Sequence, residues 1–116
     1  MTEKKRLNSI KHHLYVLVKR GKRFVAIDSR KKWWPGSVFD PCYGECFTTE
    51  GAWDFIAENL KEKGTRIKQV DLDKLPSRKA YELLIPTYKG KIYIKISFGG
   101  KGDTVIGHSF HYSGQK

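Results

Sequence analysis

The chain has 116 residues, of which 39% are apolar, enough for a packed core and against disorder throughout. Its 23 Lys and Arg against 12 Asp and Glu give a formal net charge of +11, the balance of a protein that meets a polyanion. No run approaches the roughly 18 apolar residues of a membrane span, the opening MTEKKRLNSIKHH has no apolar signal core, and two cysteines cannot staple a secreted scaffold. The expectation is one domain over 1–116, cytoplasmic, with reduced thiols and no membrane contact.

Taken in chain order, Asn8 or Ser9 caps a first helix to about Arg20, with Ile10, Leu14, Leu17 and Val18 as its apolar stripe and Gly21 as its stop, although the run Leu14-Tyr15-Val16-Leu17-Val18 fits a strand equally. Phe24–Ile27 is a short apolar run with strand character, and 28–47 reads as a long irregular connection holding Trp33, Trp34, Pro35, Gly36, Pro41 and Gly44. A second helix, Glu50–Lys63, follows a Thr48 or Thr49 cap. Its Trp53, Ile56, Ala57 and Leu60 stand at i, i+3, i+4 and i+7, and Gly64 ends it. The period then changes to two: strands are expected at Ile67–Val70, Lys79–Ile85 (closed by Pro86), Lys91–Phe98 and Thr104–Tyr112. Thr87–Gly90 and Gly99–Asp103 supply the turns of two hairpins. Helices first and an antiparallel meander after them define an α+β fold, a sheet of three to five strands with two helices packed on one face.

The charge is concentrated at the two ends: residues 1–32 carry a net +9, residues 33–60 a net −5 and residues 61–116 a net +7. Within the meander, alternation sorts the side chains. Ile92, Ile94, Ile96 and Phe98 share a core face, and Lys91, Tyr93, Lys95 and Ser97 share the other. Ile106 and Phe110 are read as inward in the last strand, which sends Val105, Ser109 and His111 outward. With Tyr81, Leu83 and Ile85 inward, Glu82 joins the outward set. One carboxylate, one imidazole, one phenol and two amines therefore converge on one sheet face. That set meets the needs of metal-independent RNA cleavage. Glu82 or His111 takes the 2′-OH proton, His111 protonates the leaving 5′ oxygen, Lys91, Lys95 and Arg78 hold the phosphate, and Tyr93 stacks on a base or orients a phosphate. The plain alternative is a solvated sheet face whose lysines blunt aggregation.

Other features carry less. Lys79, beside Arg78, adds to a basic RNA-binding patch, and Trp33 and Trp34, next to Arg30, Lys31 and Lys32, either stack on bases or cap the core. Cys42 and Cys46 with His12 and His13 lack zinc-site spacing, so no metal and no cofactor is expected. A Cys–His nucleophile has no local support. Gly99, Gly100 and Gly102 lack the strand-to-helix context of a phosphate loop.

The segment Gly90-Lys91-Ile92-Tyr93-Ile94-Lys95-Ile96, followed by Val105-Ile106-Gly107-His108-Ser109-Phe110-His111, resembles the C-terminal end of MqsR/RelE-type RNA-cleaving toxins of bacterial type II toxin–antitoxin systems. There, an apolar-Tyr-apolar-Lys-apolar strand is followed by an apolar strand ending Ser-Phe and then Lys or His. Arg6-Leu7-Asn8-Ser9-Ile10-Lys11 is similar to the opening helix of the MqsR branch. The resemblance covers about a third of the chain at its C-terminal end. It implies a RelE-like α+β fold, endoribonuclease activity on messenger RNA, free or ribosome-bound, and inhibition by an acidic antitoxin protein. The toxin tyrosine falls on Tyr93 and the catalytic basic residue on His111, where the MqsR branch generally has Lys. The tract 31–43 has no counterpart in that pattern. Two other functions fit the same composition: a non-catalytic RNA- or DNA-binding module, and an interaction protein of phage or mobile-element origin.

Overall fold

The structure is a computed structural model that describes residues 3–26, 32–72 and 75–113. Helix α1 spans Glu3–Lys19 and helix α2 spans Thr49–Lys61. Strands β1 (Arg23–Val25), β2 (Phe39–Asp40) and β3 (Glu45–Cys46) lie between the two helices, and β4 (Lys68–Leu72), β5 (Leu75–Thr87), β6 (Gly90–Gly99) and β7 (Thr104–Tyr112) follow α2. The fold is α+β. Its main sheet has five strands in the order β1-β7-β6-β5-β4, with β2 and β3 forming a separate two-stranded hairpin. Every pair in the main sheet is antiparallel except β1 with β7.

α1 begins five residues before the expected cap. The residues from Glu3 to Leu7 are good helix formers, and the early turns are anchored: Arg6 donates to Gln69 Oε1 of β4 at 2.9 Å, and Leu7 packs against the core. Asn8 and Ser9 lie on the exposed side, where they do not interrupt the helix. Gly21, at φ 76°, ends it, and the Lys22 amide reaches back to the Leu17 carbonyl at 2.9 Å. α2 is capped as expected, Thr48 Oγ1 accepting from the Gly51 amide at 2.9 Å, but it stops at Lys61. Buried Lys11 of α1 closes that end by donating to the carbonyls of Glu62 and Thr65. Burial pushes the Lys11 amine below its ordinary range, against the opposing pull of Glu62.

Both helices lie on one face of the sheet. Leu14, Leu17 and Val18 of α1, Trp53, Ile56 and Leu60 of α2, and Ile92, Ile94 and Ile96 of β6 belong to one buried cluster. β5 does not stop at Pro86. β4 pairs with β5 only as far as Lys68↔Glu82, so the last residues of β5 have β6 on one side and an open edge on the other. A proline, which has no amide hydrogen to give, is tolerated at such an edge. The Thr87–Gly90 turn is tight, with Thr87 paired to Gly90.

β7 departs from strict alternation. Ile96 pairs with Gly107 and Lys95 with Ser109, which leaves His108 as the extra residue of a bulge. Val105 and Phe110, an odd and an even position, are therefore both fully buried on the helix side. Ile106, paired with Ser97, turns to the far face, the reverse of the expected assignment for Val105 and Ile106. His108 also turns away from the helices and lies 2.7 Å from Ser97 Oγ. Ala80, Ser97 and His108 are buried there, so the far face is closed at this end and open toward Lys95, Glu82 and Leu84.

Candidate functional site

The open end of the far face carries the expected set. Tyr93 is paired with His111 across β6 and β7, and the two rings are 5.3 Å apart. Glu82 is paired with Lys95 across β5 and β6, and its carboxylate accepts the Tyr93 phenol hydrogen. Lys95 faces Ser109 in turn. Four cross-strand neighbours, Glu82, Tyr93, Lys95 and His111, thus occupy two adjacent rows of the sheet. Burial, reinforced by the hydrogen bond to Glu82 and by its negative charge, pushes the Tyr93 phenol far above its ordinary range. The phenol therefore stays protonated at neutral pH and fixes one Glu82 oxygen, and the other has no hydrogen-bond partner among the described residues.

His111 is 8% exposed. Its Nδ1 lies 2.8 Å from the Tyr112 carbonyl. A carbonyl only accepts, so Nδ1 carries the hydrogen and the lone pair of the neutral ring sits on Nε2. That nitrogen has no hydrogen-bond partner among the described residues.

The two tryptophans separate. Trp33 is bridged to Phe110, and its ring packs 5.1 Å from Trp53 and 5.6 Å from Phe110, so it caps the core. Trp34, the next residue, points the other way. Its amide donates to the Phe110 carbonyl at 2.9 Å, its ring lies 6.1 Å from His111, and 38% of its surface is exposed. The Lys32 ammonium stands 5.8 Å from the centre of that ring.

The remaining expected residues scatter. Lys91, opposite Pro86, is exposed one row beyond Tyr93. Arg78 shares the parity of Glu82 but lies two rows away at the closed end, exposed. Lys79 is on the opposite parity, paired with Asp71, and its ammonium is bound to the Asp71 carboxylate; it does not belong to the site. Cys42 and Cys46 are both exposed, at the β2–β3 hairpin. His13 lies against Phe98 and the Gly102 carbonyl, and His12 near Tyr15, so the four residues do not assemble.

Arg66, Lys68 and Leu84 were not marked by the sequence reading. Lys68 sits beside Glu82 on β4, and Leu84 sits beside Tyr93 on β5 with 48% of its surface exposed. Arg66, Lys68, Glu82, Leu84, Pro86 and Tyr93 line one open groove of about 970 Å³ along the free edge of β5. An exposed leucine at the parity of Glu82 was the available sign. Arg66 stands two residues before Lys68, at its parity, and lines the groove beside it.

No family model, curated protein or solved structure matches the chain.

Proposed function

We propose that this protein is a metal-independent endoribonuclease with a RelE-like fold, a toxin of the MqsR/RelE type held in check by an acidic antitoxin. One observation carries the reading: Glu82, Tyr93, Lys95 and His111 are cross-strand neighbours on one sheet face, with the Tyr93 hydroxyl on the Glu82 carboxylate and the His111 ring against Tyr93. In the proposed step the free Glu82 oxygen takes the 2′-OH proton as that oxygen attacks the adjacent phosphorus. The bond from phosphorus to the 5′ oxygen breaks, and His111, protonated at Nε2, supplies the hydrogen that the leaving 5′ oxygen needs. Lys95 and Lys91 balance the charge that grows on the phosphoryl oxygens. The products are a 2′,3′-cyclic phosphate and a 5′-OH end.

The test is to incubate the purified protein with RNA in the presence of a chelator and identify the new ends. Cyclic phosphates and 5′-OH termini are expected, and His111→Gln should lower the rate by about two to four orders of magnitude, the usual share of an acid–base group. RNA bound but left intact by the wild-type protein refutes the enzyme and leaves a binding module. Production in a bacterial host, with mapping of 5′-OH ends, tests the cellular target. A small acidic protein that abolishes cleavage when mixed in equimolar amount tests the antitoxin.

A further inference from the structure

The far face holds more than the four polar groups above. Trp34, His111, Tyr93 and Leu84 form a single row running across the strands. Tyr93 is paired with His111 on one side and with Leu84 on the other, and the Trp34 ring follows His111 at 6.1 Å. The two outer members are the exposed ones, at 38% for Trp34 and 48% for Leu84. At the 4.7–4.9 Å separation of neighbouring strands, the row is about 14 Å long. Cations flank it on both sides: Lys95 and Lys68 in the row above, Lys91 in the row below, and Arg66 in the groove beyond Leu84. None of these four has an ion-pair partner among the described residues.

A stripe of three rings and a leucine, exposed at both ends and bordered by Lys91, Arg66 and the two lysines on either side of Glu82, suits bases laid on its exposed ends and phosphates along its margins. A duplex hides its base faces in its own stack and offers only backbone and groove edges. We propose that the substrate is an unpaired RNA strand that crosses the sheet at right angles to the strands, with Trp34 as the base platform at one end and the groove at Leu84, Arg66 and Lys68 as its continuation at the other. This rests on the reading of the face as an RNA-cleaving site and adds the form of the substrate and the residue that selects it. Trp34 lies on the tract for which the toxin pattern has no counterpart.

Binding is measured with fluorescein-labelled 2′-O-methyl oligonucleotides, which lack the attacking hydroxyl and stay intact, so the result is independent of catalysis. Three probes of equal length are compared by anisotropy: a single strand, the same sequence as a duplex, and a single strand whose central nucleotides are abasic. The single strand is expected to bind about 5- to 150-fold more tightly than the abasic strand for each base seated on the stripe, and more tightly than the duplex. Trp34→Ala should reduce the affinity for the single strand by a factor in that range and change the abasic affinity little. Trp34→Phe should keep most of the affinity, which separates a lost platform from a disturbed fold. Arg66→Gln with Lys68→Gln should weaken the single strand and the abasic strand alike. Equal affinity for the ordinary and abasic strands, or duplex binding as tight as single-strand binding, overturns the inference even if RNA is cleaved. Strong base-dependent binding without cleavage of natural RNA upholds it and refutes the nuclease instead.

Discussion

Gly107→Ala tests how the core sets the candidate site. A β-carbon at Gly107 would stand 2.7 Å from Trp33 Cζ3, 2.9 Å from Trp33 Cη2 and 3.0 Å from Trp53 Cη2. Those rings have nowhere easy to go. Trp33 is held between Trp53 and Phe110, and Trp53 is 2% exposed with the Arg23 guanidinium 5.8 Å from its ring centre. One inserted methyl in such a place costs about 1–3 kcal/mol. With an unfolding entropy near 2.1 cal/mol/K per residue, each kcal/mol lowers the Tm of a chain this long by about 4 °C, so the expected loss is about 4–12 °C. Trp33 cannot move without its neighbour. Trp34 is fixed through its amide to Phe110, and a shift of the 33–34 backbone carries its ring away from His111. RNA affinity should therefore fall together with Tm, although Gly107 touches no ligand. Trp33→Phe removes the ring that meets the new methyl, so the double variant should be more stable than the sum of the two single changes allows. The measurements are thermal unfolding by circular dichroism and anisotropy with the single-stranded probe. An unchanged Tm would refute the packing argument. A large loss of Tm with full RNA affinity would break the link between the Trp33 pocket and the Trp34 platform.

Trp53→Ala should destabilise the fold by about 3–5 kcal/mol, read from denaturant unfolding, because the side chain is almost fully buried in the main cluster. RNA affinity should fall with rising salt, with a logarithmic slope of about −0.7 for each phosphate held on a single strand; a slope near zero removes the polyanion partner. In an alkaline titration followed by phenolate absorbance, Tyr81 and Tyr93 should ionise above the ordinary tyrosine range, since burial raises both. Their folded pKa values lie above the unfolded ones. The stability they contribute is thus complete below about pH 10, the ordinary tyrosine value, and is lost as pH climbs through the folded values. Tyr93→Phe should remove one late-titrating group. His108→Gln should weaken the contact with Ser97 and lower Tm but keep the extra residue of the bulge and hence the register, leaving the cleavage rate per folded molecule nearly unchanged.

The local parts of this architecture were legible in the chain. The 3.6-residue spacing of Trp53, Ile56 and Leu60 marks a helix face, Thr48 can only help at its start, and Ile92, Ile94 and Ile96 alternate with Tyr93 and Lys95 in a way that admits one sheet orientation. Glu82, Tyr93, Lys95 and His111 were placed on one face from those patterns, and the register brings them together. What escaped the reading depends on distant partners. α1 starts at Glu3 because Gln69, 63 positions on, receives Arg6. The expected strand Phe24–Ile27 is β1, Arg23–Val25, with Ile27 outside the described residues; what was not legible is its parallel pairing with β7. Trp33 and Trp34 are neighbours of the same type, and only the line of Phe110 beside them decides which goes inward.

The bulge in β7 joins packing to chemistry. Counted by strict alternation from Val105, the inward positions are Val105, Gly107, Ser109 and His111, and Phe110 faces out. Counted from Phe110, His111 faces out, but Val105 does too, and Ile106 and His108 turn inward in place of Val105 and Gly107, although Gly107 is the position where the Trp33 and Trp53 rings leave no room for a side chain. The first count loses the site and the second puts a histidine in the core. One extra residue at His108 shifts the phase between them, so Val105 lies inward before it and Phe110 after it, each fully buried. The same shift turns Ser109 and His111 toward Lys95 and Tyr93. Burial of Phe110, about 1.5–3 kcal/mol for a side chain of this kind, therefore favours the very register in which His111 meets Tyr93. The hydrophobic demand of the helix face and the chemistry of the far face are met by one insertion, and the histidine that forms it is itself held, through Ser97, to the strand that carries both Tyr93 and Lys95.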